Sequence, residues 1–67
     1  MNEFGNRLKK IRREKNMSQK DFAARANIDK SMMCRYENGD KRPNYDALYS
    51  IAREHNISLD YLCGLQQ

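Results

Sequence analysis

"SQKDFAARANIDKSMMCRYENG", residues Ser18 to Gly39, decides how this chain folds. Its first half reads as a short amphipathic helix. Ser18 followed three residues later by Asp21 is a capping-box-like start. Phe22, Ala23 and Ala26 then fall on one face at helical spacing. The pattern breaks at Asn27, one of the few residues that take a left-handed backbone at low cost. It restarts almost at once, with Asp29 as a second N-cap and Met33 and Tyr36 as a new inner face, Ile28 just before them. Gly39 fits the left-handed position after a helix, and Pro43 prevents continuation. The stretch is two short helices, over about residues 18–26 and 29–38, joined by a tight turn.

The same reading extends outward. Phe4, Leu8 and Ile11, spaced by four and three, predict a helix over about 3–15. Asn44 caps a helix over 44–55 whose inner stripe is Tyr45, Leu48, Ile51, Ala52 and His55. Ser58 caps a short fifth helix over 58–63, running through Leu59, Tyr61 and Leu62 toward Gly64. Strand-like alternation, repeats, linkers and low-complexity tracts are absent. The expected architecture is all-α, a compact five-helix globule forming a single domain over residues 1–67.

Composition narrows the function. Sixty-seven residues hold one small core, marginal by itself. No run approaches the roughly 20 apolar residues of a membrane span, and "MNEFGNRLKK" lacks the apolar run of a secretory signal. Cys34, Cys63 and the lone His55 make neither a disulfide framework nor a zinc site. No Cys–His, Ser–His or paired-carboxylate arrangement stands out, and a globule of this size offers little pocket. The expectation is a cytoplasmic, non-enzymatic protein with no metal, no cofactor and no evident small-molecule ligand. Net charge is +4, but residues 1–42 carry 12 of the 13 Lys/Arg and 6 of the 9 Asp/Glu. One face built for an anionic partner fits that asymmetry; a solvated surface fits it too.

On a helical wheel, Met33 and Tyr36 define the inner face of the third helix. Opposite them lie Ser31, Cys34, Arg35 and Asn38, with Lys30 and Met32 on the flanks. Guanidinium, ammonium, hydroxyl and amide groups are the donors that read guanine and adenine edges, and the major groove of duplex DNA admits one α-helix. An ordinary polar surface has the same composition.

The spacing of the whole stretch resembles the helix-turn-helix of the Cro/CI-type (xenobiotic-response-element-like) regulators. It has Gln19 opening the second helix, the small Ala23 four residues later, and Asn27 at the turn where Gly is usual. Met33 and Tyr36 follow, and Glu37-Asn38-Gly39 stands as the closing "ENG". The likeness continues in "RLKKIRREKNMSQ" and in "RPNYDALYSIAREHNISLDYLCGL", and so covers Phe4 to Leu65. His55 departs from it, standing where Leu is more frequent; a partly buried, hydrogen-bonded imidazole is expected there.

The resemblance implies a lambda-repressor-like DNA-binding domain and a sequence-specific transcriptional regulator, a repressor, acting on double-stranded DNA. It implies base contacts from Gln19, Lys30, Ser31 and Arg35, with Gln19 reaching either backbone or base edge and Lys30 either guanine or phosphate. Met32 is either a thymine-methyl contact or a helix filler. Ser18, Asn38, Lys41 and Arg42 are placed for phosphates, which fix register without carrying sequence. Arg12, bordering the apolar stripe of the first helix, is implied to form a buried structural ion pair with Glu37. Such regulators form homodimers that set two recognition helices about 34–36 Å apart on a pseudo-palindrome. Leu59 and Tyr61 are the candidate dimer contacts, with Leu62 in the core. The alternative is a protein-interaction module, an antitoxin-like partner of the same fold. An RNA reader fits less well, because Phe4, Phe22, Tyr36 and Tyr45 are expected on inner faces, leaving no stacking platform. Both a whole regulator and the N-terminal part of a larger one fit the sequence.

Overall fold

A computed structural model describes residues 3–65. Residues 1, 2, 66 and 67, part of the single domain expected over 1–67, lie outside the described residues. Five helices follow in order: α1 (Glu3–Glu14), α2 (Gln19–Arg25), α3 (Lys30–Asn38), α4 (Tyr45–His55) and α5 (Leu59–Leu62). Among the described residues there are no strands. The all-α, five-helix expectation therefore holds, with boundaries shifted by a residue because the capping residues stand just outside the helices.

The caps explain why the helices start where they do. Ser18, Asn44 and Ser58 accept the backbone N–H three residues on, and Asp29 accepts that of Ser31, so orphan first-turn donors are satisfied. The ends share one device. A left-handed residue (Asn16, Asn27, Gly39, Asn56 or Gly64) follows each helix. The next N–H then closes back onto the carbonyl five residues earlier: Met17 to Arg12, Ile28 to Ala23, Asp40 to Arg35, Ile57 to Ala52 and Leu65 to Asp60.

The core is Leu8, Ile11, Phe22, Ala23, Ala26, Met33, Tyr36, Ile51, Ala52 and Leu62. Ala23, with 1 % of its surface accessible, is small because α2 and α3 meet there. Ser50 Oγ donates to the Ala26 carbonyl at 2.7 Å, tying α4 to the turn between those helices. His55 is buried more deeply than expected, at 2 %. Its ring stacks on Phe22 with centroids 3.6 Å apart, and Nε2 lies 2.9 Å from the Phe22 carbonyl. A carbonyl only accepts, so Nε2 carries the hydrogen in this bond. Nδ1 is buried without a partner among the described residues. Burial above all, then the nearby positive Lys15 and Arg25, hold the His55 pKa below its ordinary value, although the Phe22 bond and Glu54 pull the other way.

One expectation fails. Tyr45, expected on the inner stripe of α4, is 70 % exposed. It sits in the first turn, three residues before Leu48 and at the margin of the apolar arc. Its ring stacks instead on Tyr49, centroids 6.0 Å apart.

Candidate nucleic-acid interface

Helix α3 is held from within. Met33 is fully buried, and Tyr36 nearly so, its hydroxyl pKa raised by that burial. The third anchor is Glu37, a carboxylate with no accessible side-chain surface. Arg12 meets it in a two-pronged pair, Nε to Oε2 at 2.7 Å and Nη2 to Oε1 at 3.1 Å. The remaining Arg12 prong, Nη1, donates to the Met17 carbonyl at 2.9 Å, and Gln19 Nε2 donates to Glu37 Oε1 at 3.0 Å. The Glu37 carboxylate thus joins α1, α2 and α3, and Arg12 extends the link to the turn after α1. A planar guanidinium suits this task because its donors are fixed in a fork that matches a carboxylate.

The outer side of α3 is different. Lys30, Ser31, Arg35 and Asn38 are exposed, as are Lys41 and Arg42 in the loop that follows. The charged ends of Lys30, Arg35, Lys41 and Arg42 make no hydrogen bond or ion pair among the described residues. Ser31 is engaged locally: its hydroxyl and backbone N–H both donate to Asp29, chiefly through the hydroxyl bond holding that carboxyl below its usual pKa. Asn38 Nδ2 contacts Cys34 Sγ at 3.5 Å, and Cys34 is half-buried.

Ser18 caps α2 and Gln19 opens it, Lys30, Ser31 and Arg35 lie on α3, and Asn38, Lys41 and Arg42 stand at and beyond the end of α3. Gln19 is half-buried, with one amide hydrogen committed to Glu37. Met32, placed on the flank, is half-buried and packs against the core. Leu59 and Tyr61 are likewise half-buried against the core, while Leu62 is fully buried. Sequence reasoning missed the Met17 carbonyl and the Gln19–Glu37 bond. The first is a backbone group with no side-chain signature, and the second depends on a rotamer. Among the described residues, no helix is long and apolar enough to cross a membrane.

Residues 8–62 match the helix-turn-helix family model. The chain is similar to two Bacillus subtilis (strain 168) proteins. One is the uncharacterized HTH-type transcriptional regulator YqaE, 36 % identical over 59 residues, which are 88 % of this chain and 51 % of that protein. The other is the HTH-type transcriptional regulator ImmR, 35 % identical over 61 residues, 91 % of this chain and 48 % of that one. Control protein C.MunI from Mycoplasma sp is 38 % identical over 60 residues, covering 88 % of this chain and 81 % of its own length. The chain spans about half the length of the two Bacillus relatives. No solved structure matches it.

Proposed function

The chain belongs to the Cro/CI-type helix-turn-helix family, and from that premise we propose that it is a cytoplasmic transcriptional repressor reading duplex DNA with α3. The observation that carries this reading is the division of α3 itself. Met33, Tyr36 and Glu37 fix the helix from inside, while the ends of Lys30 and Arg35 are exposed without partners. A rigid helix with uncommitted donors on its outer side meets the requirement of major-groove readout, where geometry must be set before contact.

Arg35 is the main reader, pairing its fork with guanine O6 and N7; Lys30 and Ser31 contact neighbouring base edges. Gln19 keeps one amide hydrogen and its carbonyl for DNA, because only one hydrogen is spent on Glu37. Ser18, Asn38, Lys41 and Arg42 hold phosphates and set register. The domain comprises residues 1–67 and acts as a homodimer on a pseudo-palindrome, with the exposed edges of Leu59 and Tyr61 contributing to the contact.

The test is selection of fragmented genomic DNA by the purified chain at near-physiological salt, beside Arg35→Ala. Enrichment of a two-fold-symmetric site with half-sites one helical turn apart, relaxed in the variant at the guanine position, is expected. Salt-sensitive binding with no enriched sequence would overturn the reading.

A further inference from the structure

α4 turns an uncovered face outward. Tyr45 is 70 % and Tyr49 43 % exposed, and Asp46 and Arg53 are exposed beside them. These four positions fall within roughly 100° of the helical wheel. The groups are already ordered against one another. The two rings stack at 6.0 Å, and the Arg53 guanidinium carbon stands 5.3 Å from the Tyr49 ring centre. Tyrosine and arginine are the residue types most enriched at energetically dominant protein contacts, and a surface already ordered loses less entropy on binding.

The order of the groups along the helix identifies the occupant. From N- to C-terminus they run Tyr45, Asp46, Tyr49, Arg53. Two such helices crossing antiparallel about a two-fold axis at Tyr49 bring Tyr45 against Arg53 of the second copy. Asp46 comes beside that same guanidinium, and both contacts occur twice. Aromatic ring and carboxylate each meet a cation at both ends, and the two Tyr49 rings meet in the middle. Arg53 already pairs with its neighbour Glu54 at 3.0 Å. A parallel crossing sets Asp46 against Asp46 and adds no carboxylate to either guanidinium. The antiparallel one gives each Arg53 a second carboxylate, so the charges favour the antiparallel crossing.

We propose that this α4 face docks a second copy of the same chain and is the centre of the dimer contact. The proposal rests on the dimeric reading above and moves its main surface from α5 to α4, because Leu59 and Tyr61 are already packed against their own core. One helix face covers less than the roughly 800 Å² per partner of a standard interface. The free dimer is therefore weak, with a micromolar dissociation constant, and two half-sites on one DNA strengthen it by raising effective concentration.

Sedimentation equilibrium of the full chain over a concentration series tests this, with Asp46→Arg, Arg53→Asp and the combined swap. Both positions of change are exposed, and thermal melting by circular dichroism verifies that each of the three variants is folded. Each single reversal is expected to weaken self-association at least about tenfold by setting like charges across the axis. The combined swap restores it to within about threefold, since the pairing is exchanged rather than removed. A wild-type chain that is monomeric throughout, single variants that associate as tightly as wild type, or a swap no tighter than the singles overturns the proposal. DNA selection on the same preparations separates the two readings. A monomer that still enriches one sequence overturns the docking face alone, and a dimer that enriches none overturns the DNA reading alone.

Discussion

Replacing Arg12 by Met keeps an unbranched apolar stem and much of the side-chain volume but removes three hydrogen bonds at once. Two of them go to a Glu37 carboxylate with no accessible side-chain surface, the third to the Met17 carbonyl. The variant leaves a buried negative charge facing an apolar thioether. Breaking a buried pair from one side costs about 3–5 kcal/mol, and the 14 % exposure of the Arg12 side chain gives solvent little chance to screen the loss. A domain of this length has a total stability of roughly 3–10 kcal/mol, so a large part of it is at stake. With about 4–8 °C lost per kcal/mol in a domain this small, the melting midpoint is expected to fall by at least about 12 °C. The assay is thermal unfolding followed at 222 nm on Arg12→Met, Glu37→Leu and the pair together. The double variant should recover more than half of the loss, because no charge is then left unpaired. A midpoint for Arg12→Met within about 2 °C of wild type refutes the reasoning, since that is less than 1 kcal/mol on the same scale.

Two further outcomes follow from the site and the core. Lys41→Ala and Arg42→Ala should each weaken binding about equally on all sequences and lower the slope of log affinity against log salt by about 1, measured by fluorescence anisotropy at several salt concentrations; a change in sequence preference would contradict a phosphate role. His55 has a folded-state pKa below its ordinary value, so as pH falls through about 6.5 the unfolded chain takes up a proton that the folded one refuses. Stability is therefore greatest above that pH and declines below it, and urea midpoints for His55→Leu should lose this component of the pH dependence while wild type retains it.

The helices were legible because their signals are local. Ser18, Asp29, Asn44 and Ser58 each cap with their own side chains, and a cap is written within four residues. Asn27 was readable as a turn for the same reason; Asn16, which takes the same left-handed conformation at φ 56°, followed a charged run that masks the end of α1. The Arg12–Glu37 pair joins residues 25 apart, and only the family resemblance brought them together. Tyr45 shows where periodicity fails: spacing tells which side of a helix a residue is on, but not whether a neighbouring element reaches far enough to cover its first turn. The commitment of Gln19 to Glu37 was invisible because a side chain with two donors and one acceptor can satisfy the same spacing in several rotamers.

The separation of α3 into an anchored inner side and an unengaged outer one has a consequence for how such a protein diversifies. Met33, Tyr36 and Glu37 carry the stability of the helix, whereas the side chains of Lys30 and Arg35 support nothing else among the described residues. Substitutions at positions 30 and 35 can therefore accumulate at almost no thermodynamic penalty, as exposed sites usually permit, and on the proposed reading they would shift the target sequence. Position 31 is less free, because Ser31 completes the Asp29 cap. A lineage retuning this chain would change 30 and 35 first, and alter 31 only together with 29.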